Sequence, residues 1–425
     1  MKILFVSGHL PCPNARQAGQ KVSYQLCRFL AQRHRVDLLS FATATEHESC
    51  DFGAMEIFAT RDVVPITTAT RLLGLALAPR LPAAVAVRNK RSVRYAISST
   101  VRSNRPDVVL FDNMAMWQYA GDVSSGALRV GIAQDVLSQL WTRRAENWRG
   151  LCALAGSLEA RRLRRWETRT LRKLDLVCAL SEKDSQLLFA PTANVRQCLL
   201  QPWFSRPAGA SFSLATKEDN SIVFGGAFDR RENVDAAAFA TTEILPRVAT
   251  EVPHYAFHLV GAGCEKLPGR IARQQRVRVE GFVPDLQACL SRMQIALLPL
   301  RLGAGIKIKV LEAMAGGLPV VTTPVGAEGI NARQGVHFLV GNTAEELARH
   351  TIVLLQNPGL RAQVGERARE FIRGNYDFEK SARDFEWALL QRLSERQFRA
   401  GRTGGLASRD EAGLCTPARG QVRGG

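Results

Sequence analysis

Two lysines, a glutamate and a run of glycines fall together in one short stretch. Residues 300–330 read LRLGAGIKIKVLEAMAGGLPVVTTPVGAEGI. An apolar run of strand length at 295–300 leads into a loop containing Gly303, Ala304, Gly305 and Ile306. Ile308, Leu311, Met314 and Ala315 then recur at helical spacing. Gly316 and Gly317 stop that helix, and 318–321 begins another buried strand. A strand–loop–helix–strand unit opens its loop at the carboxyl end of a parallel sheet. The glycines admit a ligand close to the backbone, and the first N–H groups of the helix are unpaired donors that favour a phosphate. Lys307 and Lys309 add positive charge where the helix dipole alone disfavours it, at ~0.3–1 kcal/mol each. An anionic ligand accounts for that placement. Glu312 projects about one turn deeper on the same face, where a carboxylate can accept hydrogen bonds from a pair of sugar hydroxyls. The alternative is a basic helix start with a surface pair of Lys309 and Glu312, and these residues alone leave both readings open.

The elements that must position this stretch come from a chain of 425 residues, long enough for two or three domains. Its 46% hydrophobic and 23% charged residues are ordinary for a globular protein. Nine cysteines lie scattered without a CxxC pair or a Cys/His cluster at metal spacing. They read as reduced thiols of a cytoplasmic protein, with no metal site. Residues 1–8, MKILFVSG, read as a strand and lack the apolar region of a signal peptide. The apolar region at 72–87 is interrupted by Pro79, Arg80 and Pro82, so it is no spanning helix. It reads as a core or acceptor-groove loop in preference to a segment dipping into a membrane surface. A net charge of +18 calls for anionic partners: nucleic acid, an anionic leaflet or phosphorylated ligands.

Taken in order, the chain opens strand (1–7), helix (22–33), strand (35–41), the start of an open parallel sheet. The loop between carries two glycines, Gly8 and Gly19, and no GxGxxG. A strand at 108–111 ends in Asp112, and one at 130–133 ends in Gln134 and Asp135, positions that face the cleft of such a sheet. Asp135 could equally cap the next helix. Residues 143–173 hold ten Arg or Lys, three Glu and a spaced set of leucines. They predict a basic amphipathic helix or helix pair, serving as a solvated face or a contact with an anionic membrane. Nucleic acid is disfavoured, since no nucleic-acid motif accompanies them. Ser181 caps a helix with Asp184 three residues on. The second half then starts over: a strand at 221–225 leads to Gly226, Arg230 and Arg231, one at 255–260 to Gly261, and one at 277–281 to Phe282. With the strands flanking the lysine helix, these ends converge at one sheet edge.

Residues 303–321 and the turn that runs to Gly329 resemble the donor-site signature of the retaining family 4 (group 1) glycosyltransferases, the sugar transferases of bacterial exopolysaccharide assembly among them. Loop, KVLEAMA helix, helix stop, PVV strand and GAEG turn come in order and in register. The resemblance extends over about 1–398 and is strongest in the second half. It implies an α/β fold of the GT-B type, two Rossmann-like domains with parallel sheets facing across a cleft. The first (1–206) would bind a glycan or lipid-linked acceptor. A linker (207–220) would lead to the domain for the nucleotide-diphosphate sugar (221–375), followed by a helix crossing back (376–398) and a disordered tail (399–425). It implies transfer with retention, no cofactor beyond that co-substrate, no metal, and a cytoplasmic location, peripheral on the inner membrane face. Glu312 would hold the nucleotide ribose, Lys307 would act with it at the reacting centre, and Asp112 would stand on the acceptor side. The donor would meet Gly19, Gly226, Arg230, Arg231, Gly261, Phe282, Gly303, Ala304, Gly305, Ile306 and Lys309. Three places depart from the pattern: Ala304 replaces a common glutamate, Asp112 a common histidine, and residues 201–204 (QPWF) a Pro-Asn-Gly-Val turn. The alternatives are an inactive GT-B subunit that binds sugar nucleotide or lipid and, less well supported, an epimerase or a nicotinamide oxidoreductase.

Overall fold

The computed structural model describes residues 1–123, 126–189, 196–204, 206 and 217–407. Two all-parallel sheets organise them. The first has seven strands in the order β3-β2-β1-β4-β5-β6-β7. These are β1 (Lys2–Ser7), β2 (Arg35–Ala42), β3 (Thr60–Pro65), β4 (Val108–Asp112), β5 (Leu128–Ala133), β6 (Leu176–Ala179) and β7 (Gln197–Leu199). The second has six, in the order β10-β9-β8-β11-β12-β13. These are β8 (Ser221–Gly225), β9 (Ala256–Val260), β10 (Val277–Gly281), β11 (Ile295–Leu298), β12 (Val320–Thr322) and β13 (Leu339–Val340). Helices cover both faces, so the central strands are apolar throughout: Val108, Val109, Leu110 and Phe111 are all fully buried. In each sheet the strand order reverses once, between β1 and β4 and between β8 and β11. Ligands of such sheets bind outside the carboxyl ends at that reversal.

Seven helices matter for the site: α1 (Ala18–Ala31), α2 (Thr68–Leu77), α3 (Leu137–Glu146), α4 (Gly150–Leu171), α5 (Arg231–Phe239), α6 (Ile308–Ala315) and α7 (Phe378–Ala407). The helix pair read from the basic segment is the hairpin of α3 and α4. Gly156 of α4 lies against Ala145 of α3, where a side chain would crowd the crossing. α7 returns to the first domain. Arg33 and His34, just past α1, bond Glu386 at 2.6–3.0 Å, and Arg396 reaches the Ala127 carbonyl at 2.9 Å.

Several details differ from the sequence reading. β3 and the short β7 are strands that it did not place, because Thr60–Pro65 is an exposed edge strand without an apolar pattern. α7 runs past residue 398 to Ala407; residues 408–425 of the expected tail and 207–216 of the expected linker lie outside the described residues. Part of the 72–87 segment is helix α2, seated on the next turn through buried Gly74, with Leu72, Leu73 and Leu77 turned to solvent. Cys12 and Cys50 form a disulfide, contrary to the expectation of reduced thiols throughout. Their separation of 38 residues carries no spacing signal, and the fold alone brings the loop after β1 beside the end of a short helix. Among the described residues, no helix is long and apolar enough to cross a membrane.

Candidate functional site

The carboxyl ends of the two sheets face each other across a cavity of about 280 Å³. From the second domain it is lined by Gly225 and Gly226 after β8, Arg230, Glu232 and Asn233 at the start of α5, and Gly261 after β9. Phe282 after β10 and the loop and first turns around α6 complete that side. Gln17, Gly19, Gln134 and Asp135 close it from the first domain.

The lysine helix is built as the spacing predicts. Lys307 is the N-cap of α6 and carries no side-chain cap. Its ammonium bends back to the Ala304 and Gly305 carbonyls at 3.2 and 2.5 Å, holding the loop in a tight curl. Lys309, one turn in, donates to the Asn233 side chain and lies 5.1 Å over the Phe224 ring. Burial lowers the Lys307 pKa to about 8, with Arg143 and Lys183 adding to the effect and Glu328 opposing it. Lys309 falls to about 7 through burial, then Arg230 and Lys307, against Glu312 and Glu232. Neither lysine is matched by a carboxylate within salt-bridge distance, so both are poised for an anion. Glu312 lines the cavity at half burial, one turn below.

Gly261 is held at φ 130°, and a Cβ there would collide with the Gly226 carbonyl. These two loops therefore approach only because neither carries a side chain. Gly303, Ala304 and Ile306 line the cavity, whereas Gly305 does not. Gly305 has φ 69° and packs on the opposite domain, where a Cβ would stand 2.7 Å from the Gln134 carbonyl oxygen. It is a point of domain closure. Arg230 lines the cavity with its guanidinium half exposed. Arg231, named beside it from the sequence, points away and covers the Trp148 ring of the first domain at 5.6 Å. One step along a helix start turns a side chain to another face.

Asp112 stands at the end of β4 as its position implies, but it does not open onto the cavity. It is 1% exposed, and its oxygens accept from Ser7 (2.9 Å), Ser23 (2.7 Å) and Gln134 (2.9 Å). His9 lies 3.5 Å from the same carboxylate and 3.2 Å from the Ser23 hydroxyl. Burial lowers the His9 pKa, partly offset by Asp112. Asp112 thus holds its neighbours, Gln134 above all, which carries this network to the cavity wall. His9 and Gln134 were legible only as polar residues just past strand ends.

The sequence reading missed the residues that hold the domains together. Arg143 of α3 makes two bonds to Glu328, at 2.6 and 2.7 Å, and a third to the Gly303 carbonyl at 2.6 Å. Arg144 bonds Glu232 at 2.8 Å. Burial would raise both glutamates, but these arginines, with Lys183 at Glu328 and Arg230 at Glu232, hold them below the usual range. Among the described residues, no three His, Cys, Asp or Glu side chains are grouped so as to hold a metal ion.

Residues 219–357 match the family model of the group 1 glycosyl transferases. The match lies on the second domain and contains the lysine helix and every donor-side loop described above. By sequence the chain is 26% identical over 231 residues to the lipopolysaccharide core biosynthesis mannosyltransferase LpcC of Rhizobium leguminosarum bv. viciae, covering 50% of this chain and 63% of that one. It is 33% identical over 96 residues to an uncharacterized 44.6 kDa protein of the cps region of Klebsiella pneumoniae, covering 23% of this chain and 25% of that one. These alignments span less than two thirds of either relative. Solved structures align across almost the whole fold. Anabaena HepE, in complex with UDP and glucose, has a TM-score of 0.64 at 16% identity, covering 92% of this chain and 99% of its own. S. aureus TarM gives 0.66 at 11%, covering 92% and 99%. The two-sheet α/β architecture is thus that of the GT-B glycosyltransferases.

Proposed function

We propose that the chain is a glycosyltransferase that moves a sugar from a nucleotide-diphosphate donor to a glycan or lipid-linked acceptor with retention, in polysaccharide assembly at an anionic membrane face. The observation that carries this reading is the convergence, in one interdomain cleft, of two buried lysines and Arg230 on glycine loops at a helix start, with Glu312 one turn below. The same stretch falls inside the family match. LpcC is named a mannosyltransferase, and HepE and TarM are titled as complexes with UDP, which supports a donor of that kind here.

The chemical demand is a departing nucleoside diphosphate. Lys307, Lys309, Arg230 and the loop N–H groups of 303–306 would stabilise the charge that develops on its β-phosphate. A helix terminus contributes at most ~2 kcal/mol, so the lysines would carry the larger share. In the front-face route, the bond from the anomeric carbon to the β-phosphate oxygen breaks as the acceptor oxygen bonds the same face. The acceptor proton passes to the leaving phosphate, and no side-chain nucleophile is needed. Glu312 would hold the ribose hydroxyls and Phe282 would border the base. With lysines and arginine supplying the positive charge, neither a metal nor a cofactor is required.

The test is a thermal-shift screen of the full chain against UDP, GDP, ADP and NAD, with and without chelator. At a hundred times its dissociation constant a ligand adds about 2.7 kcal/mol to stability. A shift with one nucleoside diphosphate, unchanged by chelator, is expected. A shift with NAD alone would overturn the reading, and turnover of the matching sugar nucleotide separates an enzyme from an inactive binding subunit.

A further inference from the structure

α4 and α2 together expose an apolar face edged by cations. On α4, Leu151, Leu154 and Leu158 follow one another at three and four residues and are 84%, 58% and 51% exposed. On α2, Leu72, Leu73 and Leu77 are 61%, 56% and 65% exposed. The two sets are tied at one point: the Arg162 guanidinium donates to the Pro79 and Leu81 carbonyls just after α2, at 2.6 and 2.7 Å. Glu159 accepts from the Ala84 N–H at 3.3 Å beside it.

Charge is sorted on the same helix. Every exposed charged residue between Arg149 and Lys173 is an arginine or lysine. The two glutamates of α4 are turned inward: Glu159 is 6% exposed, and Glu167, 4% exposed, is held by the Ser138 N–H and hydroxyl. Arg161 and Arg165 continue the leucine stripe one and two turns on. Clustered exposed leucines mark an interaction surface. Leucines on a helix whose exposed charge is wholly positive fit the boundary of an anionic bilayer, with acyl chains taking the leucines and headgroups the arginines. A second copy of this chain on the face would bring arginine against arginine.

We propose that α2 and α4 form the surface by which this protein docks on an anionic lipid bilayer, inserting the six leucines and pairing the α4 arginines with headgroups. The proposal rests on the membrane location in the functional reading above and names the elements responsible. α4 continues directly from α3, whose Arg143 and Arg144 bridge the cleft, so the docking face adjoins the cleft on the acceptor side.

The experiment is flotation of the full chain with vesicles of phosphatidylcholine alone or with 30% phosphatidylglycerol, for wild type, Leu154→Glu/Leu158→Glu, Leu73→Glu/Leu77→Glu and Arg161→Glu/Arg165→Glu. Wild type is expected to float with the phosphatidylglycerol vesicles only. Each double variant should lose at least tenfold in the bound fraction, with its thermal midpoint and its response to nucleoside diphosphate unchanged. Wild type that stays with the soluble fraction overturns the proposal, as does loss confined to the arginine variant, which would make the leucines bystanders. Tighter binding of an RNA oligomer than of vesicles, or leucine variants that change only the oligomeric state, also overturns it. A nucleotide shift without flotation refutes the docking surface alone, whereas flotation without any nucleotide shift refutes the functional reading and leaves the surface in place.

Discussion

Donor binding should draw protons from solution at alkaline pH, and the count can be worked from the two lysines. With pKa values lowered to about 7 for Lys309 and about 8 for Lys307, ligand-free protein at pH 8 holds Lys309 mostly neutral and Lys307 half so. The missing charge is ~0.9 and ~0.5 proton by simple titration. A diphosphate placed between them favours the charged form of both, which raises each pKa toward its ordinary value. Binding at pH 8 should therefore take up about 1.4 protons at most, most of it by Lys309. At pH 6 both lysines are already charged and uptake should fall to ~0.1. The ligand does not cancel this at pH 8, because a terminal phosphate with its second pKa near ~6 is already ionised there.

Calorimetry of nucleoside diphosphate binding in two phosphate-free buffers of different ionisation enthalpy gives the number directly. An uptake near one proton at pH 8 is expected, shrinking on acidification. In Lys309→Met, uptake at pH 8 should drop to the roughly half proton left to Lys307. No uptake in the wild type, or uptake unaffected by that substitution, would mean the phosphates do not sit between the lysines.

Other substitutions separate the parts of the site. Lys307→Ala and Glu312→Ala should each lower kcat/KM for the donor by more than tenfold while the circular dichroism spectrum stays native; wild-type turnover by either removes that residue from the site. Gly305→Ala places a Cβ 2.7 Å from the Gln134 carbonyl oxygen at φ 69° and should prop the cleft open. Turnover should then fall by more than tenfold while nucleotide affinity stays within about threefold, a split that steady-state kinetics and calorimetry resolve. An equal loss of both would place the damage in the donor loop.

The parts of the site that were legible from sequence are those whose signal is local. The loop, cap and stop of α6 lie within a few residues of one another, and the spacing of Lys307, Lys309 and Glu312 decides their faces before any tertiary contact forms. The two reversing sheets were legible because apolar runs ending in glycine or polar residues recur along the chain. Asp112 marks where this kind of reasoning stops. A strand end has a predictable position, but whether its carboxylate meets a ligand or the protein depends on Ser7, Ser23 and Gln134, contributed by other elements. Arg230 and Arg231 differ in the same way: the start of α5 fixes that they diverge, and only Trp148 from the other domain decides which one leaves the cleft.

The closing contacts are long-range almost by definition. Arg143 and Arg144 lie 185 and 88 residues from Glu328 and Glu232. In sequence the two arginines are indistinguishable from the surface arginines of α4 that follow them. The fold divides that basic run in two. The residues on α3 find carboxylates across the cleft, while those on the outer face of α4 find none in their own exposed stretch. A single compositional feature, read whole as a membrane or solvent face, thus serves two purposes, and burial of the partner carboxylates separates them: Glu328 and Glu232 have side chains 14% and 10% exposed. Removing one partner from such a pair leaves a half-buried charge uncompensated, so the cleft arginines should tolerate substitution far less well than their neighbours on α4.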